Sequence, residues 1–204
     1  LHVTQEQATA DMYHMVGLSE EERLSRPLRD SVRRRLPWLG MSLGMALMSG
    51  LVISMFQSTI ALFVALAVFL PLISAQGTNS AVQTATIFVR SLALGELRAP
   101  MVRRAVRRET ALGVINGAAI AAISGVVAYV WMRDMWLAQV LAVSMFLTMA
   151  LAGLLGAMIP LLLRRFRADP ALGSSVLLAT ATDVTGFLFL LGLATALVRY
   201  SSGG

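Results

Sequence analysis

The chain has 204 residues, of which 57% are hydrophobic and 14% are charged, and its mean hydropathy is +0.73. A soluble domain of this composition would lack the polar side chains to cover its surface, which excludes the ordinary globular classes and indicates an integral membrane protein. Because the sequence contains no cysteine, disulfides, thiolate metal sites and cysteine nucleophiles are also excluded.

The first 35 residues are more polar than the rest and include the acidic run Glu20 to Glu22. Ser19 followed three residues later by Glu22 is typical of a helix N-terminus. We expect a cytoplasmic, helical lead-in over residues 1–35. It is either a simple linker or a movable element that holds cations through its acids, and the composition leaves both interpretations open.

Five apolar runs follow, each long enough to cross a bilayer as a helix of about 20 residues. They predict an all-α, polytopic membrane domain over residues 36–198, with an external tail over residues 199–204. The predicted spans cover about 36–56, 60–76, 111–132, 136–163 and 172–198.

All 17 basic residues are arginines, and most of them lie on one side of the predicted membrane. Clusters precede the first span and connect the second span to the third and the fourth to the fifth, whereas the other side has only Arg133 and Arg199. Because basic loops stay in the cytoplasm, this pattern predicts a cytoplasmic N-terminus and an external C-terminus. It also explains the net charge of +6, so we expect no nucleic acid partner.

Asp183 is the single acid inside a predicted span, and it lies near mid-depth of the fifth. A charged side chain is costly there, so an intramembrane acid is a candidate functional residue that faces protein or water. Its helical neighbours are mostly small, which lets another group approach: they are Ser175 or Val176, Ala179 or Thr180, and Gly186. An ion ligand, a protonatable relay and a structural hydrogen-bonding group all fit this pattern.

A second polar segment, AQGTNSAVQTAT, covers residues 75–86 after Pro71. Its Gly77, Asn79 and Gln83 belong to a run of small and neutral oxygen-bearing residues. One carboxylate together with neutral oxygens suits a largely hydrated divalent cation, because Mg²⁺ gives up its water reluctantly. Hydrogen bonding between helices is the competing interpretation.

Other chemistry has little support. The two histidines, His2 and His14, precede the membrane part, and no Gly-rich phosphate loop is present, so we expect no catalytic residues and no enzyme. Small residues four apart, Gly40 with Gly44 and Gly113 with Gly117, suggest close helix packing, for example between protomers.

Four stretches resemble the MgtE family of magnesium transporters and channels. They are RRRLPWLG at 33–40, PLISAQGTNSAVQTATIFVRSLALGEL at 71–97, GAMIPLLLRRFRADPALGSS at 156–175 and ATATDVTGF at 179–187. They occur in the family's order and spacing, and the resemblance extends over residues 33–198. The lead-in TQEQATADMYHMVGL also resembles the linker that precedes the family's membrane domain.

The resemblance implies a homodimer in the bacterial inner membrane, with a Mg²⁺ pore near the dimer axis that the second and fifth helices line. Mg²⁺ would be both the transported ion and a ligand of the chain. The implied metal-binding residues are Asp183 at the centre, Ala179 and Ser175 one and two turns earlier, and Asp169 at the cytoplasmic mouth. The implied pore-lining residues are Asn79, Gln83, Gly77, Thr180 and Gly186.

The resemblance further implies that residues 1–35 include a plug-like helix, and that cytoplasmic regulatory domains of the CBS type are missing from this chain. Val176, Thr78 and Ser175 depart from the family's usual Pro, Gly and Asn, so we expect the cytoplasmic half of the pore to differ from the family's in shape or ion preference. Two alternatives stay open: a proton-coupled cation carrier with Asp183 as the relay, and a non-transport membrane module with a structural Asp183.

Overall fold

The structure is a computed structural model that describes residues 27–97, 99–168 and 174–202. These residues form six helices and no strand, so the predicted all-α class is confirmed. The helices are α1 (Leu28–Ser54), α2 (Gln57–Leu62), α3 (Ala65–Ala93), α4 (Ala99–Met132), α5 (Met135–Arg165) and α6 (Ser174–Ser202).

All helices except the short α2 are long and apolar enough to cross a membrane, which confirms the five predicted spans. Several extend beyond the apolar run that predicted them. Helix α3 continues to Ala93 rather than ending near residue 76, and α4 begins at Ala99 rather than at residue 111. The reason is that hydropathy marks the part of a helix suited to hydrocarbon, whereas backbone hydrogen bonding continues through the polar ends.

The predicted lead-in is described only in part, since residues 1–26 lie outside the described residues. The part that is described is continuous with the first membrane helix. Pro27 precedes α1, and its carbonyl accepts the N–H groups of Asp30 and Ser31. Residues 28–35 are therefore the first turns of α1.

A tight turn joins α4 to α5. Arg133 has a φ of 54°, in the left-handed region, and ends α4. The Asp134 side chain then accepts the N–H groups of Trp136 and Leu137 at 2.8 and 3.2 Å. This cap satisfies two of the four N–H groups that a helix start leaves unpaired, so α5 begins immediately and the two helices form an antiparallel pair.

Helix α5 is the centre of the bundle, because α3, α4 and α6 all pack on it. Glycines permit the close approach: a Cβ on Gly113 of α4 would lie 2.8 Å from the carbonyl oxygen of Met149, and one on Gly117 would lie 3.1 Å from the Met149 Cβ. The close packing of this pair is thus between two helices of the same chain, rather than between two copies of it. By contrast, α3 and α4 pack little on each other.

Helix α1 lies at the edge of the bundle, where it packs on α6. Its predicted pair Gly40 and Gly44 has no other atom within 4 Å of where a Cβ would stand. Ser49 is the one buried residue that α1 contributes. The core of the bundle is therefore built from the helices after α1.

Candidate ion site

Asp183 lies in α6, partly exposed, and faces α3. The Ser74 hydroxyl of α3 donates a hydrogen bond to its Oδ1 at 2.5 Å. A hydrogen bond to a charged acceptor is short and about twice as strong as one between neutral groups. This bond fixes one carboxylate oxygen and leaves Oδ2 without a hydrogen-bond partner among the described residues.

A second polar contact, one residue away on α6, sets the register of α3 against α6. The Oγ1 atoms of Thr78 and Thr182 lie 3.0 Å apart. The Thr182 hydroxyl also lies 2.8 Å from the carbonyl oxygen of Leu178 in its own helix. Ser74 and Thr78 are four residues apart and therefore share one face of α3.

Glycines bring the helices close enough for these contacts. A Cβ on Gly77 of α3 would lie 2.9 Å from the Cγ2 of Thr148, and one on Gly186 of α6 would lie 2.6 Å from the Cγ2 of Ile73. Both glycines are buried in the packing of α3, α5 and α6. Within the bundle, the two glycines set the distance between the helices that carry Ser74 and Asp183.

The other predicted ligands on α6 follow its helical period. Ala179 and Ser175 lie one and two turns before Asp183 and are partly exposed. Thr180 is buried, and its hydroxyl donates to the carbonyl of Val176 at 3.0 Å. Asp169, predicted at the cytoplasmic mouth, lies outside the described residues.

Asn79 and Gln83 do not lie on the face of α3 that carries Ser74. They line a cleft between α3 and α4, together with Asn116 of α4. At about 100° per residue, they are turned by roughly 140° and 180° from Ser74 around the α3 axis. The structure therefore does not bring these two amides to Asp183 within the chain, and their pore-lining role stays a prediction.

Sequence reasoning missed two polar residues. Ser74 lies inside the predicted second span and has no predicted role, although a hydroxyl three residues before Gly77 is a signal in the sequence. Glu109 precedes the predicted third span, but it lies within α4 and is buried. It forms an ion pair with Arg108 at 2.9 Å and accepts the Thr84 hydroxyl at 3.3 Å.

The donor set of the site is one carboxylate with neutral oxygens. Among the described residues, no group of three or more His, Cys, Asp or Glu side chains could hold a metal ion. A single carboxylate with hydroxyl and carbonyl oxygens matches a hard cation that keeps most of its water, and it does not match zinc or other metals that select nitrogen or sulfur.

Comparison with known proteins gives consistent matches. A family model named MgtE, described as divalent cation transporter, matches residues 70–193. Proteins called magnesium transporter MgtE are also similar. The one from Bacillus subtilis is 33% identical over 166 residues, which is 81% of this chain and 37% of the relative. The one from Thermus thermophilus is 34% identical over 165 residues, or 81% of this chain and 36% of the relative.

A third relative, from Enterococcus faecalis, is 28% identical over 200 residues, which is 98% of this chain and 44% of that protein. The chain thus spans less than half the length of each of these relatives. The matched part contains the Asp183 face and its α3 partners.

Proposed function

The chain belongs to the MgtE family, and on that basis we propose that it transports Mg²⁺ across a bacterial inner membrane, with Asp183 as the central ion ligand. The observation that carries the proposal is the Asp183 carboxylate, partly exposed inside a membrane-spanning helix and bonded on one side by Ser74. Intramembrane acids of this kind mark ion pathways. Transport, rather than catalysis, is the activity we assign.

A single carboxylate offsets only one of the two positive charges of a dication, so the pathway needs a second carboxylate. We propose a homodimer in which the Asp183 carboxylates of two copies face each other across a pore. Two carboxylates offset the charge of a Mg²⁺ that keeps most of its water, and they favour a dication over Na⁺ or K⁺. The period of α6 supports Ala179 and Ser175 as further oxygen donors along the same face.

The membrane potential supplies the driving force in this proposal. Moving one elementary charge through 100 mV is worth about 2.3 kcal/mol, and a dication doubles that figure. Asp169 is proposed at the cytoplasmic mouth from its place in the sequence alone. Cytoplasmic regulatory domains of the CBS type are proposed for the full-length protein, which the greater length of the relatives supports.

The test is Mg²⁺ flux into proteoliposomes under an imposed potential, without a pH gradient. Wild-type protein is compared with Asp183→Asn, which keeps the shape of the side chain and removes its charge. We expect the flux of the variant to fall at least about a hundredfold, because a buried or half-buried ion ligand contributes several kcal/mol.

Glu96→Gln is the matched control, since it removes an exposed acid from the loop after α3 and should leave the flux unchanged. Undiminished flux through Asp183→Asn would refute the site. Flux that requires a pH gradient rather than a potential would favour the proton-coupled carrier instead.

A further inference from the structure

Exposed arginines gather at one end of the antiparallel pair α4 and α5. Six of them lie in the first turns of α4 and at the end of α5, and together they form the arginine cluster: Arg103, Arg104, Arg107, Arg108, Arg164 and Arg165. The topology rule explains why arginines lie on this side of the membrane. It does not require that two helices bring them together or that their charges stay unpaired.

The packing of α4 on α5 brings the two groups of arginines to the same height. A Cβ on Gly153 of α5 would lie 2.7 Å from the carbonyl oxygen of Glu109 and 3.3 Å from the Cα of Gly113. From that level, Arg164 is about 16 Å further along α5, and Arg103 is about 12 Å back along α4, at 1.5 Å per residue. Because Arg164 is about three full turns after Gly153, it also shares the face of α5 that packs on α4.

The arginine cluster lies at a membrane surface. Residues 110–132 of α4 have no charged side chain, and a helix of that length covers about 34 Å. The hydrocarbon core of a bilayer is about 30 Å thick, so the arginines before residue 110 lie at one surface and Arg133 lies at the other. In α5, the uncharged stretch 135–163 ends directly before Arg164. The guanidinium groups of the cluster are therefore in the headgroup layer or just outside it.

Most of the positive charge of the cluster is not neutralised by the chain. Within the part of the chain that the structure describes, its single ion pair joins Arg108 to Glu109 at 2.9 Å. The other five arginines form no ion pair with a described residue. Six arginines less one glutamate leave a net charge of +5. Because Glu109 is buried, it is not accessible to the cationic end of a zwitterionic ligand, and the cluster therefore suits an anion.

Apolar side chains beside the cluster favour a lipid over a soluble partner. Phe166 directly follows the arginines of α5 and is 77% exposed. Leu162, one turn earlier on the same face, and Met101 of α4 are also exposed. A soluble acidic ligand would leave these side chains in water. A phospholipid covers them with its acyl chains while its phosphate contacts the arginines.

We propose that the arginine cluster binds the headgroup of an anionic phospholipid. The phosphodiester accepts hydrogen bonds from guanidinium groups of both helices, which donate in pairs to phosphate oxygens. The bound lipid thereby joins the start of α4 to the end of α5. This site uses no residue of the Asp183 site, and it goes beyond the proposed transport function.

Native mass spectrometry of the full chain, released from detergent micelles, measures lipid binding directly. The probe is palmitoyl-oleoyl phosphatidylglycerol, and it is compared with phosphatidylcholine that has the same acyl chains. We expect phosphatidylglycerol to bind about tenfold more tightly. In Arg103→Gln/Arg107→Gln this preference should fall about tenfold, because each arginine at the membrane surface adds to the attraction of anionic lipid. Micelles have no sidedness, so a variant that inserts in the inverted orientation does not disturb the measurement.

Arg29→Gln/Arg33→Gln is the matched control. It also removes two exposed arginines four residues apart, but from the start of α1, and it should keep the preference for phosphatidylglycerol. Arg164→Gln tests the contribution of α5 separately and should weaken phosphatidylglycerol binding about fivefold. This single change also keeps the proposal testable if the double variant of α4 fails to fold, which its thermal unfolding in detergent shows.

Each contrary result overturns the proposal in a different way. Phosphatidylcholine bound as tightly as phosphatidylglycerol would favour an acidic soluble domain as the partner of the cluster. Equal losses in the double variants of α4 and α1 would mean that the net charge of the chain, rather than a site, attracts the lipid. Displacement of the lipid by an equal concentration of inorganic phosphate would mean that the site takes a free anion.

Unchanged phosphatidylglycerol binding in Arg164→Gln and in the α4 double variant would place the lipid elsewhere on the chain. Lipid binding in micelles needs no transport, so all of these outcomes are independent of the flux measurement.

Discussion

At the scale of single residues, the central feature is Asp183, an acid that is only partly covered by other residues of the chain. Asp183 uses one oxygen to accept from Ser74, and it remains partly exposed. In a buried structural carboxylate, each oxygen is expected to have at least one hydrogen-bond partner. A carboxylate held by one donor is oriented but still able to bind another group, which is the state an ion ligand requires.

Ser74→Ala tests this orientation. Loss of a hydrogen bond to a charged group costs about 1.5–3 kcal/mol, so we expect Mg²⁺ flux at subsaturating Mg²⁺ to fall about tenfold or more. The fold should be retained, since the change removes one oxygen. Ser54→Ala is the control, because its hydroxyl bonds the Leu51 carbonyl of its own helix. Equal fluxes for the two variants would show that Ser74 does not position the carboxylate.

At the scale of helices, glycines determine which helix faces pack closely against each other. A Cβ on Gly156 of α5 would overlap the carbonyl oxygen of Ala81 and come within 2.8 Å of the Thr84 Cβ. This contact holds α3 at the height where Thr84 reaches Glu109. The backbone cannot yield as a flexible side chain can, so the helices would have to separate.

Gly156→Ala should therefore destabilise the protein. Overpacking of a close contact costs about 1–3 kcal/mol, which should lower the thermal unfolding midpoint in detergent by several degrees. Gly50→Ala is the matched control, since no atom lies within 4 Å of its Cβ position. It should be neutral or slightly stabilising, because alanine is the better helix former. A Gly156→Ala protein as stable as Gly50→Ala would argue against this packing.

At the scale of the whole molecule, the arginines predict the orientation. The loop at Glu96 should lie in the cytoplasm and the start of α5 outside. In intact cells, a membrane-impermeant thiol reagent should label Met135→Cys, whose side chain is 55% exposed. It should label Glu96→Cys only after the membrane is permeabilised. The reverse pattern would invert the topology and move the proposed cytoplasmic mouth to the other side.

The exterior of the helix bundle is mostly apolar, as a lipid-facing surface should be. Leu43, Leu47 and Leu51 of α1, for instance, are each more than 60% exposed. The Asp183 face interrupts this surface with a carboxylate on a membrane-spanning helix. That carboxylate needs a polar occupant, and the proposed ion path supplies one.

The sequence by itself determined the class, the number of spans and the candidate acid. Hydropathy and charge depend on composition along one helix, and the cost of a carboxylate in hydrocarbon singles out Asp183 without any coordinates. The resemblance to the family, confirmed by the comparisons, also rested on local motifs such as the stretch 71–97.

Only the tertiary structure decided which polar groups meet. Ser74 and Asp183 are 109 residues apart in the chain, and their contact depends on how α3 is rotated against α6. The same rotation turns Asn79 and Gln83 into the cleft, although they belong to the motif that suggested a pore. Helical rotation is set by the glycine contacts with α5, and such contacts between distant segments leave no periodic signal in a single sequence.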